Sequence, residues 1–375
     1  MRYQQVCLEA IGYTLPQEVV TTDALERQMD PVYGRLRLPR GRLELMTGIA
    51  SRRFFPPGTL PSHVSIQSGQ LALQASGVER RHIGALIHGS VCRDHLEPAT
   101  ACHVHHGLDL PSACMIHDVS NACLGILTGI LQVANMIELG QIRAGMVVGT
   151  ECGRELVENT ICRLNKDRRL SRQDIKSYIA SLTIGSGSVA VLLCDKKLSQ
   201  THNRLLGASV LARTNHRQLC QSDGLQSFMS TDSEQLLHHG VAAGAENFAA
   251  FLDEAGWTRR QVDKTICHQV GVAHRRLLME ALDIDPQIDY PTLETLGNTG
   301  AVALPLTLAL GAEAGHLQPS DHVALLGIGS GINCQMLALE WQRHQVSGRV
   351  GIGPVAEDKC ATNNGDPLAV AGATA

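Results

Sequence analysis

The stretch VSNACLGILTGILQVANMIELG, residues 119–140, decides how the chain is read. From Val119 to Ile137 it carries no charge for 19 positions, and Gly140 closes it. Length alone would allow a membrane span. Ser120, Asn121, Thr128, Gln132 and Asn135 interrupt the run, which predicts a helix buried inside protein instead. Ser120 or Asn121 is placed to cap it. The flanks CMIHDVS (114–120) and RAGMVVGTE (143–151) read as strands, so the segment belongs to an α/β fold with a largely internal sheet.

A second copy of this unit lies downstream, in GNTGAVALPLTLALGAEAG, residues 297–315. Cys123 stands 17 residues before Gly140, and Asn298 stands 17 residues before Gly315. Glycine just past a helix is a stop signal. The two glycines precede similar pairs, Gln141-Ile142 and His316-Leu317. Ile184-Gly185-Ser186-Gly187 also recurs as Ile328-Gly329-Ser330-Gly331, near the last strands of each half. The offsets, 175 and 144, differ, so insertions of unequal length separate the copies. We read a duplicated chain: a first half over 1–198 with a polar helical insertion at about 151–181, a second half over 199–343, and a disordered tail over 344–375. Residues 31–61, rich in Arg, Pro and Gly, read as an irregular excursion.

Composition narrows the function. The 375 residues suffice for a large core, and 44% hydrophobic against 18% charged residues is a globular balance. A net charge of −4 and 3% aromatics argue against phosphate neutralisation and base stacking, so no nucleic-acid partner is expected. None of the 12 cysteines forms a C-x-x-C pair, and the N-terminus lacks an apolar signal core. A reduced, cytoplasmic protein without a membrane span follows. His103, His105 and His106 lack a partner carboxylate or cysteine at ligand spacing, so no metal is expected. Gly185-Ser186-Gly187 lacks the Lys-Ser/Thr of a phosphate-binding loop.

Three residues stand where chemistry is done. Cys123 opens a helix, where the macrodipole favours thiolate and backbone amides can hold an oxyanion. His268 ends a short apolar strand, the usual place for ligand contact in α/β folds. Asn298 in GNTG is a turn residue by default, or a fixed amide donor.

Taken in order, DVSNACLG, ICHQVG, GNTGAVALPL and ALLGIGSGINC resemble the thiolase superfamily, and within it the ketoacyl-synthase III-like condensing enzymes, over roughly residues 1–343. The resemblance implies a duplicated five-layered α/β/α/β/α fold and a homodimer. It implies that Cys123 accepts the acyl group, that His268 and Asn298 polarise a thioester carbonyl, and that the backbone amides of Cys123 and Ser330 form the oxyanion hole. RDHLEPATA (93–101) resembles a loop of the olefin-biosynthesis branch, whose glutamate lies 26 residues before the nucleophile, as Glu97 lies before Cys123. There it reaches across the dimer to remove an α-proton. Synthase III enzymes often carry Trp upstream of their TGI stretch. MTGIASRR (46–53) has none, which leaves CoA and carrier protein both open as acyl carriers.

The function expected is non-decarboxylative condensation of two fatty-acyl thioesters through an acyl-Cys123 intermediate, giving a 2-alkyl-3-oxoacyl product. No cofactor is expected beyond acyl-CoA or acyl-carrier-protein substrates; a carrier protein or downstream lipid enzymes are further partners. One alternative is a decarboxylative 3-oxoacyl synthase III using a malonyl thioester, with no need of Glu97. Another is a silent acyl-binding subunit.

Overall fold

The protein is described by a computed structural model over residues 1–222 and 229–353. One ten-stranded sheet runs through it, nine strands forming a continuous path and the last pairing with the first. In chain order its strands are β1 (Val6–Leu15), β2 (Ile83–His88), β3 (Met115–Asp118), β4 (Ala144–Glu151), β5 (Gly187–Asp195), β6 (Arg204–Ala212), β7 (Lys264–Cys267), β8 (His322–Gly329), β9 (Asn333–Glu340) and β10 (Val346–Val350). The first half is ordered β3-β2-β4-β5-β1 and the second β7-β8-β9-β6. In both, the first two corresponding strands, β2 and β4 or β7 and β8, pair parallel. All later pairings within each half are antiparallel. The duplication seen in the sequence is therefore a duplication of strand order and direction, with β3 an extra edge strand in the first half. The half-sheets are linked by the pair Cys7 with Arg204 and by an isolated bridge between Arg2 and Gly207.

The main helices are α1 (Pro61–Ser76), α2 (Thr100–Gly107), α3 (Gly125–Glu138), α4 (Ser233–Ala255), α5 (Val272–Leu282) and α6 (Ala303–Glu313). Strand alternation divides their contacts. On β5, Val189, Val191 and Leu193 join the core around α3 and α6, while Ala190, Leu192 and Cys194 join the core beneath α1 and α2. On β8, Val323 and Leu325 face the same central helices, while Ala324, Leu326 and Ile328 pack with α4 and α5. Sheets covered on both faces need apolar residues at successive positions, which is why SVAVLLCD reads as an unbroken run. The layers are α1/α2, half-sheet, α3/α6, half-sheet and α4/α5, as the resemblance implies. The uncharged run of the sequence is the central helix α3. No helix among the described residues is long and apolar enough to cross a membrane.

Two expectations are corrected. The stretch 31–61 holds short helices at Asp30–Leu36 and Arg42–Thr47 and a strand at Ser51–Phe54. They pack with helix Arg154–Lys166 of the insertion around Tyr33, Leu43, Phe54 and Leu164. The tail, expected to be disordered from 344, instead forms β10, parallel to β1 from Ile11 with Val346 to Leu15 with Val350. The edge of β1 offers unpaired backbone groups, and Gln67 then binds Gly353 at both N and O, at 3.0 and 3.2 Å. Residues 354–375 lie outside the described residues.

Helix α3 is seated by backbone contact. A Cβ on Gly125 would come within 2.3 Å of the Gly89 carbonyl oxygen, and one on Gly89 within 2.6 Å of the Gly125 carbonyl. Gly125→Ala would gain about 1 kcal/mol of helix propensity. It would meet backbone that has no rotamer to change, at a cost of about 3 kcal/mol. The urea midpoint is expected to fall with the m-value unchanged, and acylation of Cys123, two residues upstream, to slow.

Candidate active site

The two copies of the Ile-Gly-Ser-Gly motif seat the two candidate turns reciprocally. In the first, a Cβ on Gly185 would strike Leu296 O at 2.1 Å. The glycine lets the chain lie against the Asn298 turn, where Gly185 N donates to Asn298 O and Asn298 N to Thr183 O, both at 2.9 Å. In the second, Gly329 packs on the Cys123 turn, its would-be Cβ 2.9 Å from Leu124 Cγ and 3.7 Å from Cys123 Cβ. Each half thus holds the chemical turn of the other.

Cys123 occupies a 3₁₀ turn, Ala122–Leu124, just ahead of α3. Ala122 before it is left-handed, at φ 44°, and buried Ile332 beside Ser330 is at φ 53°. Such conformations cost about 1–3 kcal/mol each and persist only under close packing. Asn121 does not cap the turn. Its amide instead donates to Thr128 Oγ1 at 2.9 Å and accepts from Asn333 Nδ2 at 3.2 Å, tying the turn to β9.

The backbone N–H groups of Ser330 and of Cys123 itself lie near the Cys123 sulfur and favour its thiolate. Two donors converging on one point are what a tetrahedral oxyanion needs. They do not lower the thiol pKa overall. Burial, then the nearby Glu151 and Cys220, push it up to about 12, against the expectation from the helix macrodipole. Desolvation outweighs a dipole whose effect is about 1 kcal/mol.

His268 follows β7, its N–H on Leu326 O at 3.0 Å. The ring is 2% exposed, and neither nitrogen has a hydrogen-bond partner among the described residues. Burial, with His274 adding a smaller effect, lowers its pKa to about 3. The imidazole is neutral across the working range, with one N–H available to a carbonyl. Gln269 next to it accepts from Thr292 and Leu293 N at 2.8 and 2.7 Å, fixing the short helix that leads to Asn298. Arg275 is held by buried Asp289 at 2.6 Å. Asn298 accepts from Gly300 N at 3.0 Å through Oδ1, which leaves its amide N–H₂ as donor.

Cys123, His268, Asn298 and Ser330 line one cleft of about 1420 Å³. The insertion supplies part of the wall through Leu156, Lys176 and Ile179. Glu97 is not brought there. It is exposed on the loop between β2 and α2, outside the cleft wall. Residues that sequence reasoning missed do line it: Glu151, Cys220 and His274. Glu151 carried a signal, since a carboxylate ending an apolar strand obeys the rule that singled out His268. Among the described residues no group of three or more His, Cys, Asp or Glu side chains is placed to hold a metal ion.

These groups set a pH dependence. The thiol titrates near 12, so the thiolate fraction at pH 7 is roughly 10⁻⁵ and grows about tenfold per pH unit. Single-turnover acylation is expected to accelerate from pH 6 to 9 with no inflection from His268, which loses its proton far below that range. An inflection near 6.5 in stopped-flow acylation would contradict this.

Comparison with known proteins agrees with the geometry. Residues 58–204 match the thiolase N-terminal domain, and residues 252–341 match the C-terminal part of 3-oxoacyl-[acyl-carrier-protein] synthase III. An acyl-CoA:acyl-CoA alkyltransferase of Shewanella oneidensis is 43% identical, covering 91% of this chain and 100% of its own. One of Xanthomonas campestris is 30% identical, with the same coverage. Solved structures of Xanthomonas campestris OleA superpose with a TM-score of 0.87 at 30% identity, over 91% of this chain and 98% of theirs. They include a form with cerulenin bound and, at the same TM-score, variants replacing a glutamate, a cysteine or a histidine.

Proposed function

The chain belongs to the thiolase superfamily, in its ketoacyl-synthase III-like branch, and from that premise we propose how its cleft works. It is a condensing acyltransferase that joins two fatty-acyl thioesters. The observation that carries this is the convergence of Cys123, two backbone N–H donors, His268 and Asn298 in one cleft.

Cys123 attacks the first thioester as thiolate. The tetrahedral oxyanion is held by the N–H groups of Cys123 and Ser330, and collapse expels the carrier thiolate, which takes up the proton Cys123 lost. The second thioester binds with its carbonyl oxygen on the N–H groups of His268 and Asn298. Neutral donors there stabilise the enolate that forms when an α-proton leaves. Glu97 of the partner subunit takes that proton. The carbanion attacks the acyl-Cys123 carbonyl, the same oxyanion hole is used again, and Cys123 departs as thiolate. The product is a 2-alkyl-3-oxoacyl thioester.

What supports Glu97 is its sequence position and its surroundings. The glutamate and cysteine replaced in the OleA variants are separated by the same number of residues as Glu97 and Cys123. On the same loop Leu96 is 95% exposed and Val91 56%, two apolar side chains suited to cover by a second copy. Edge strand β3, with Met115 half exposed, lies nearby and suits a homodimer. A second cavity of about 170 Å³, lined by Val32, Leu43 and Leu182, shares Met46, Lys176 and Ile179 with the cleft and suits an alkyl tail. The reaction needs no metal or redox cofactor and takes place in the cytoplasm, with CoA or a carrier protein bearing the acyl groups.

Complementation tests the assignment. A mixed dimer of one Glu97→Gln protomer and one Cys123→Ala protomer has one complete site, built from both. Condensation by the mixed dimer, with neither homodimer active, is expected. An inactive mixed dimer would place Glu97 in its own subunit's site, and an active Glu97→Gln homodimer would place it outside the reaction and favour the decarboxylative reading, which needs no such base.

A further inference from the structure

The last residue of β4 is a carboxylate that the reaction above does not use. Glu151 is 5% exposed and lines the cleft near Cys123. Its Oε1 accepts from Val91 N at 3.0 Å and Ala301 N at 3.2 Å, and its Oε2 accepts from Cys92 N at 3.3 Å. A buried carboxylate with no cation beside it among the described residues persists only where such donors satisfy it. The donors sit on two different loops. Ala301 follows the Asn298 turn, where Gly300, at φ 57°, would bring a Cβ within 3.1 Å of the carboxylate. Val91 and Cys92 begin the loop that carries Glu97. Cys92 is held a second time, since Cys152 N donates to its Sγ at 3.3 Å and its thiol donates to Cys152 O at 3.9 Å. Glu151 and Cys152 together clamp the root of that loop to the end of β4. Beyond the clamp the loop is tied by Asp94, whose N–H lies on Thr100 Oγ1 at 3.2 Å and whose Oδ1 accepts from Ser62 N at 2.9 Å. Residues 95–97 project from between these anchors.

We propose that Glu151 is a positioning residue whose effect is felt in the other subunit: from inside its own cleft it sets the loop that delivers Glu97 to the partner's. The inference rests on the cross-subunit role of Glu97 given above. A residue that braced only its own cleft would alter only its own protomer's chemistry. Glu151 instead reaches the partner's condensation step and leaves the partner's acylation step untouched.

The mixed dimer separates these. In the reference dimer one protomer carries Glu97→Gln and keeps Cys123, and the other carries Cys123→Ala and keeps Glu97. In the test dimer the Cys123→Ala protomer also carries Glu151→Gln, so the reacting cleft keeps its own Glu151. Acylation of the single Cys123, read by intact mass, is expected to be unchanged. Condensation is expected to fall on the order of 10²-fold, the usual consequence of displacing a reacting group by about 1 Å. Should the Glu151→Gln protomer fail to pair, Glu151→Asp is used; it keeps the charge but is one methylene too short to span both loops, and a smaller fall is expected. Equal condensation rates in reference and test dimers would overturn the inference while leaving the role of Glu97 intact. An inactive reference dimer would overturn both.

Discussion

Cys123→Ala is expected to eliminate condensation, with a loss on the order of 10⁴-fold or more, because no other group in the cleft replaces the covalent step. Wild type incubated with a long-chain acyl-CoA gains the mass of one acyl group less one hydrogen per chain, and the variant gains none. The cleft holds other thiols, so the assignment is sharp. Cys92 and Cys152 are engaged elsewhere: the Cys92 sulfur accepts from Cys152 N at 3.3 Å and its thiol donates to Cys152 O at 3.9 Å, while the Cys152 thiol donates to Thr59 O at 3.7 Å. Cys220 lines the same cleft, but its sulfur is occupied by Ser330 Oγ at 3.3 Å and Thr231 Oγ1 at 3.5 Å. Alanine at 123 removes one sulfur from a half-buried position and leaves Asn121 and Thr128 in place, so the fold should survive. An acyl adduct on the variant, mapped to Cys220, would transfer the nucleophile's role.

Glu97→Gln is expected to separate the two half-reactions. Acylation of Cys123 needs only the thiolate and its oxyanion hole and should proceed at the wild-type rate. Condensation needs a base for the α-proton, and glutamine is not one. A positioned general base contributes roughly 10²–10⁴-fold, and a loss in that range is expected. The acylated variant should therefore accumulate, visible as a stable adduct in the presence of excess acyl-CoA. The exposed position of Glu97 in a single chain makes a folding defect an unsuitable explanation for the loss, and an unchanged thermal midpoint would exclude one.

Much of this was legible in residue order. The uncharged run and its closing glycine marked α3, and the matching spacing of Asn298 and Gly315 marked α6, because buried helices must be apolar all round and must stop. The reciprocal seating of the two turns was not legible. It needs the knowledge that Gly185 meets Leu296 and Gly329 meets Leu124, contacts between residues more than 100 positions apart. Strand β6 escaped notice because its residues alternate poorly: Arg204, Val210 and Ala212 are exposed, while Gly207, Ala208 and Ser209 are buried yet only weakly apolar. The helices within 31–61 are too short for a 3.6-residue period to show. The direction of the Cys123 shift was misread for a related reason. The dipole is a local property of the chain, whereas desolvation and Glu151 come from the folded cleft. Cys123, His268 and Asn298 were found because their motifs occur in order; Glu151, in no such motif, was found only from its hydrogen bonds.

The central claim is that two acyl thioesters are joined without decarboxylation, and product analysis with purified protein and a single long-chain acyl-CoA addresses it most directly. Mass spectrometry is expected to show a 2-alkyl-3-oxoacyl product, or the ketone it yields on loss of CO₂ after hydrolysis, formed with no malonyl thioester present. No condensed product until a malonyl thioester is added, with CO₂ released one for one with product, would contradict the account and make the protein a decarboxylative synthase.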